Sequence, residues 1–199
     1  MKYRLKDTYY RKAKNEGYRS RAAYKLLELT QRFHPIKPGD RVVDLGAAPG
    51  GWLQVASKLT GQKGKVIGVD LQAIEPLKEK NIHLVQGDIT SENIQTAVKE
   101  LLGGPADCVL SDLSPRLSGI READVSRSVE LARTAFKIAS VMLKTGGSFM
   151  VKVFMGEETA AFAKELETHF ASIRSTRPDA TRKASSEIYM IARGFRQGT

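Results

Sequence analysis

The sequence is sparing in several features that would otherwise direct its reading. It contains one cysteine among 199 residues, Cys108, so no intramolecular disulfide can form, and a reducing compartment suits it. Cys108 lies in the apolar run Asp107-Cys108-Val109-Leu110, where a buried, inert thiol is expected. The three histidines, His34, His83 and His169, are scattered without metal-ligand spacing, so no metal site is expected. No apolar stretch approaches the ~20 residues a membrane helix needs. The opening residues, MKYRLKDTYYRKAK, lack the apolar core of a secretory signal. No repeat, low-complexity tract or linker interrupts residues 40–195, and a single domain over residues 1–199 is expected.

What the chain has in excess is positive charge: a formal +10, with 32 Lys and Arg against 22 Asp and Glu. Such an imbalance points to a polyanionic partner, and nucleic acid is the commonest one. Residues 1–25 concentrate it, with nine cations against Asp7 and Glu16. The same segment holds five of the six tyrosines: Tyr3, Tyr9, Tyr10, Tyr18 and Tyr24. The plain reading is a solvated, partly helical arm. The interleaving of aromatics with cations also suits stacking on bases and pairing with phosphates, hence an RNA-binding arm.

From Arg41 onward, strand-like and helix-like segments alternate. Strands are expected at 41–45, 65–69, 82–86, 107–111, 148–154 and 187–193, with a weaker one near 171–177. Helices are expected near 51–60, 91–102, 122–144 and 157–169. In the long helix Val125, Val129, Ala132, Phe136, Ala139 and Leu143 form one apolar face, ended by Gly146-Gly147. The early strands are short β-branched runs without clean alternation, as in strands covered on both faces. The expected fold class is α/β: a Rossmann-like, mostly parallel seven-stranded sheet with helices on both faces. Ligands in such sheets bind beyond the carboxyl ends of the strands, so the loops there carry the most weight.

The first of these loops reads Asp44-Leu45-Gly46-Ala47-Ala48-Pro49-Gly50-Gly51-Trp52. Its glycines permit a tight turn and a close backbone approach to a ligand. It lacks the Lys-Ser/Thr of a phosphate loop and the G-x-G-x-x-G of a dinucleotide site. The second strand ends at Asp70, where a carboxylate can accept hydrogen bonds from ribose hydroxyls. The third ends at Asp88, where one can accept from an adenine amine. Any one of these could be a plain turn or helix cap. Together, at successive strand ends, they read as a site for a nucleoside without phosphates, which S-adenosylmethionine fits.

The fourth strand ends in Ser111-Asp112-Leu113-Ser114-Pro115, the next carries Lys152 between Val151 and Val153, and the last begins near Glu187. A lysine inside an apolar strand is unusual, since charged groups are rarely buried without partners. By position it either snorkels or closes an ion pair, or it acts chemically.

These segments resemble the FtsJ/RrmJ ribose 2′-O-methyltransferases. The resemblance runs from Ser20 to Tyr189. It rests on Ser20-Arg21-Ala22-Ala23-Tyr24-Lys25-Leu26, the 44–52 loop, Asp112-Leu113-Ser114-Pro115 with Ser118-Gly119, Val151-Lys152-Val153-Phe154 and Ser185-Ser186-Glu187. It implies a catalytic set at Lys25, Asp112, Lys152 and Glu187, and contacts to S-adenosylmethionine from Gly50, Trp52, Asp70, Asp88 and Asp112. One departure is Arg116, where the family's motif has asparagine. The resemblance further implies methylation of a ribose in RNA, a uridine of large-subunit ribosomal RNA, by a cytoplasmic monomer with no membrane partner. Lys152 would be the base, Asp112 and Glu187 would orient it, and Lys25 would position ribose or phosphate. An amine accepts a proton only in its neutral form, which burial and nearby cations favour and carboxylates oppose.

Other chemistries lack parts. A cytosine-C5 enzyme needs a cysteine at the end of the fourth strand, whereas Cys108 sits inside it. Amino-methylating enzymes carry Asp/Asn-Pro-Pro-aromatic where Asp112-Leu113-Ser114-Pro115 stands, and no carboxylate cluster for a metal surrounds Asp112. Three alternatives stay open on sequence alone: a transfer RNA ribose methyltransferase, a non-catalytic RNA-binding module that retains the cofactor pocket, and a nicotinamide oxidoreductase.

Overall fold

The computed structural model describes residues 8–182 and 184–197. Seven strands form one sheet: β1 (Arg41–Leu45), β2 (Lys65–Asp70), β3 (Ile82–Gln86), β4 (Ala106–Ser111), β5 (Leu143–Phe154), β6 (Phe170–Thr176) and β7 (Glu187–Phe195). Their order is β3-β2-β1-β4-β5-β7-β6. The pairs from β3 through β5 are parallel, and β7 runs antiparallel to both neighbours. The mostly parallel α/β sheet read from the sequence is therefore the fold. Reversal of β7 has a direct consequence for the site. It brings the first residue of that strand, Glu187, level with Phe154 at the far end of β5.

Six helices flank the sheet: α1 (Thr8–Asn15), α2 (Ala22–Phe33), α3 (Gly51–Thr60), α4 (Glu92–Leu102), α5 (Arg121–Ser140) and α6 (Glu157–His169). Side-chain alternation along the strands sends Val43, Leu45, Val109 and Val151 to one face, where they pack on Val98, Val129, Phe136 and Phe162 of α4, α5 and α6. Val42, Val66, Leu110 and Met150 point to the other, against Leu26, Leu29, Trp52 and Leu53 of α2 and α3. Both faces being covered explains why the strands read as continuous apolar runs. Cys108 is fully buried, and burial pushes its thiol pKa up, as suits an inert side chain.

Two sequence expectations change. The long helix ends at Ser140 rather than continuing to residue 144, because Leu143 pairs with Ala106 and opens β5. Apolar spacing alone does not separate a last helical turn from the first residue of a buried strand. Gly146, at φ 81°, sits within β5 as an irregularity rather than as a helix stop.

The second correction concerns the amino-terminal segment. Lys2, Tyr3, Arg4, Lys6 and Asp7 lie outside the described residues. Beyond them the arm forms α1 and the first turn of α2, docked on the domain. Tyr24 is buried, and its ring packs against Tyr9 (5.5 Å) and Tyr18 (5.7 Å). These three rings were expected to meet bases. They instead hold α1 to α2, because aromatic clusters bury area that a short helix could not bury alone. Arg11, Lys12 and Lys14 of α1 remain exposed.

Among the described residues no helix is long and apolar enough to cross a membrane, and no group of side chains could hold a metal ion.

Candidate active site

The loop after β1 is shaped by what surrounds it. Gly46 has φ 80°, and a Cβ there would lie 2.6 Å from Leu113; Gly50 has φ 107°, so side chains are disfavoured at both. Asp70, at the end of β2, accepts the Ala48 N–H at 2.9 Å with one oxygen and the Gln72 N–H at 2.8 Å with the other. It pins the loop to the neighbouring strand and keeps lone pairs for a ligand. Trp52 is buried, donates its indole N–H to the Ala22 carbonyl at 2.9 Å and packs on Tyr189. Its side chain joins the loop's helix to α2, which carries Lys25 one turn later. Asp88 is exposed and accepts the Thr90 N–H and hydroxyl at 2.9 and 2.8 Å, which fixes the turn before α4 and holds its carboxyl below the usual range.

Two residues here escaped the sequence reading. Arg19 donates to the carbonyls of Pro49 (3.2 Å), Glu75 and Pro76 (2.6 Å), clasping the glycine loop to the segment after β2. Asp44 is fully buried, and neither of its oxygens has a hydrogen-bond partner among the described residues. Burial, and then the neighbouring Asp112 and Asp70, push its pKa well above the ordinary carboxylate range. Three carboxylates at the ends of adjacent strands disfavour a pyrophosphate. They suit a ligand bearing hydroxyls and positive charge, so the residues present fit S-adenosylmethionine with its sulfonium and ammonium groups.

The reacting groups meet beside this loop. Lys152, only 6% exposed, donates to the Asp112 carbonyl at 2.7 Å and lies 3.0 Å from the Asp112 carboxylate. Lys25 pairs with Glu187. Between the pairs stands Tyr189, whose hydroxyl is 2.7 Å from Asp112 and 3.1 Å from Glu187. The four residues singled out from sequence thus form one chain, Lys152–Asp112–Tyr189–Glu187–Lys25, with Tyr189 as its unforeseen centre. The signal for Tyr189 was its period: it lies two residues past Glu187 and on the same strand face. Burial and the two carboxylates push its phenol pKa well up, so it stays a hydrogen-bond donor. The network sets two lysines against two carboxylates, so each partly or fully buried polar group has a partner.

A cleft of about 440 Å³ opens over Lys25 and Glu187, lined also by Arg21, Ser114, Leu117 and Phe154. The loop bearing Leu117 is held by Asp124, whose carboxylate accepts the Ser118 N–H and hydroxyl, both at 2.8 Å, and the Gly119 N–H at 3.2 Å. These bonds hold the Asp124 carboxyl below the usual range. Arg116, in place of the expected asparagine, is exposed in the same loop.

An open parallel sheet, an acidic nucleoside pocket and a lysine–carboxylate network beside it together define a group-transfer enzyme acting on a nucleoside-bearing donor. Residues 18–195 match the FtsJ-like methyltransferase family, and the chain belongs to that family. Ribosomal RNA large subunit methyltransferase E of Methanothrix thermoacetophila is 53% identical over 94% of this chain and 72% of its own length. The protein of the same name from Methanobrevibacter smithii is 46% identical over 96% and 90%. The crystal structure of a ribosomal RNA methyltransferase from Plasmodium falciparum superposes with a TM-score of 0.81 at 31% identity, covering 89% of this chain and 98% of that one. The chain is a methyltransferase that uses S-adenosylmethionine, and the oxidoreductase and non-catalytic readings fall away.

Two outcomes follow from this geometry. Asp44 binds a proton more tightly folded than unfolded, so its contribution to stability is present below about pH 4 and is lost as pH rises through its folded-state value. Thermal unfolding of the ligand-free protein should therefore show the stability of Asp44→Asn, relative to wild type, increasing from pH 4 to pH 7; a constant difference contradicts the raised pKa. Tyr189→Phe removes a hydrogen bond to a charged group, worth about 1.5–3 kcal/mol. Turnover should fall by at least roughly tenfold with the circular dichroism spectrum retained, and wild-type kinetics would show that the bridge is not used.

Proposed function

We propose that the protein methylates the 2′-hydroxyl of a ribose in large-subunit ribosomal RNA, a uridine, working as a monomer in the cytoplasm on RNA or on the ribosomal subunit. The observation that carries this reading is the continuous network from Lys152 through Asp112, Tyr189 and Glu187 to Lys25, beside the cofactor loop. The names of the relatives support the substrate class.

S-adenosylmethionine, when bound, supplies an electrophilic methyl group on a sulfonium. The chain's own residues prepare the acceptor. A ribose hydroxyl is a weak nucleophile at neutral pH, and a positioned base is worth roughly 10²–10⁴-fold. Lys152 Nζ, with two directions taken up by Asp112, has one left for the hydroxyl. In its neutral form it takes the proton as the oxygen–methyl bond forms. The resulting ammonium lies against the Asp112 carboxylate, so charge develops where an anion already waits. Asp112 and Glu187 are oriented by the Tyr189 hydroxyl, and Lys25, fixed by Glu187, positions ribose or phosphate at the cleft. Gly50, Trp52, Asp70, Asp88 and Asp112 form the cofactor side, with Asp44 beneath. Residues 1–25 act as an RNA-binding arm through the exposed cations of α1 rather than through its packed tyrosines.

Lys152→Ala is expected to keep cofactor affinity by calorimetry and to lose most turnover; near-normal turnover would remove the base assignment. Alkali-resistant 2′-O-methyl sites mapped in RNA incubated with wild type and with this variant test the substrate. A site in transfer RNA, with none in large-subunit ribosomal RNA, would select the alternative substrate. Replacing Arg11, Lys12 and Lys14 by glutamine should weaken RNA binding and flatten its salt dependence by about two log units per log unit of salt. An unchanged slope would leave α1 with a purely structural role.

A further inference from the structure

A second cavity lies away from the active site. It is a groove of about 1250 Å³ at the opposite edge of the sheet, where β1, β2 and β3 begin. Strands of five or six residues separate it from the cofactor loop by roughly 17–20 Å. Six cations line it: Arg41, Lys58, Lys63, Lys65, Lys78 and Lys80, against Glu79 and Asp107. Asp107 is already matched by Lys144, so it does little to offset the groove's charge. Lys65 donates to the Leu101 carbonyl and Lys58 to the Tyr18 hydroxyl, but Lys63, Lys78 and Lys80 are exposed and have no partner among the described residues. Unpaired like charges held together repel one another, and a fold tolerates them at least cost where an anion is to bind.

The groove also connects to the amino-terminal helix. Lys58 sits 4.4 Å over the Tyr18 ring, Tyr18 packs on Tyr24, and Lys12 of α1 lies 4.8 Å over the Tyr24 ring. Lys12, Lys58 and the groove lysines therefore form one basic band that starts beside α2, the helix of Lys25, and turns down the flank of α3 to the far edge of the sheet. A small anion would not need such a surface. The cavity exceeds the roughly 300–1,000 Å³ of small-molecule sites, and its cations are flexible lysines. Lysines spread along an open groove suit the regularly spaced phosphates of a nucleic acid.

We infer that this groove is a second RNA-binding surface, which holds the phosphate backbone of the substrate well away from the nucleotide being methylated. The inference rests on RNA being the substrate. It adds that the enzyme grips an extended RNA, because only a ligand much longer than the acceptor nucleotide reaches both ends of the sheet. Phosphate contacts of this kind fix register and carry no sequence information. The groove would therefore orient the RNA while the cleft over Lys25 selects the ribose.

The test is the triple variant Lys63→Gln, Lys78→Gln, Lys80→Gln, compared with Lys137→Gln, Lys164→Gln, Arg174→Gln, which removes the same charge from α5, α6 and β6. Steady-state methylation is measured on a long RNA and on a short oligonucleotide carrying the acceptor, and RNA binding is followed against salt by fluorescence anisotropy. For the groove variant, the KM for long RNA should rise on the order of tenfold, and the log–log salt slope should fall by about two. The KM for the oligonucleotide should not change, and the control variant should behave as wild type. Equal effects in both variants would reduce the groove to net charge, and an unchanged slope and KM would overturn the inference. So would loss of binding to an acidic ribosomal protein with the RNA slope intact. If wild type binds RNA with the expected slope but methylates none, the proposed function fails while the groove stands.

Discussion

The site depends on one constraint, that ionisable side chains withdrawn wholly or partly from water must be matched by partners. Lys152, buried near the carboxyl end of β5, would alone carry a severe desolvation penalty. Asp112 removes it by offering both a carboxylate and a backbone carbonyl. Asp112 then needs its own remaining partner, which is Tyr189, and Tyr189 carries the connection to Glu187 and so to Lys25. Each group is thus explained by the next. Five residues from α2, the end of β4, β5 and β7 are committed to one arrangement before any substrate arrives, and preorganisation of this kind is what lets an electrostatic site act without rearranging.

The direction of β7 makes that arrangement possible. In a wholly parallel sheet the beginning of a strand lies at the edge opposite the ligands. Because β7 is reversed, its first residue, Glu187, and its third, Tyr189, stand beside Phe154 and Lys152 near the carboxyl end of β5. The two edges of the sheet therefore differ. The carboxyl edge carries paired lysines and carboxylates, where the proposed donor and ribose would meet. The amino edge is basic and open. The basic band along α3 joins them, and under the inferred RNA contact it would hold the substrate's backbone.

Much of the site was legible because its residues break local rules. Lys152 interrupts an apolar strand, Gly46 and Gly50 interrupt the passage from strand to helix, and Asp70 ends the run Val66-Ile67-Gly68-Val69, which is otherwise without charge. Such exceptions stand out against a periodic background. Tyr189 and Asp44 did not stand out, because a tyrosine in a strand and an aspartate near a strand end are ordinary until their neighbours are known. Tyr9, Tyr18 and Tyr24 misled for the converse reason. An aromatic residue among cations has the same sequence signature whether its ring faces a base or, like Tyr24, another tyrosine.

The sequence by itself determined the alternation of strands and helices and the α/β class, since these follow from periodicity, and its resemblance to the FtsJ/RrmJ family picked out the four charged residues. Only the tertiary structure decided that Tyr189 links Asp112 to Glu187, that Arg19 clasps the cofactor loop, and that lysines from α3, β2 and the segments preceding β2 and β3 share one groove. Those relations are distances between residues far apart in the chain. They are set by strand order, strand direction and the packing of both sheet faces, none of which a single segment encodes.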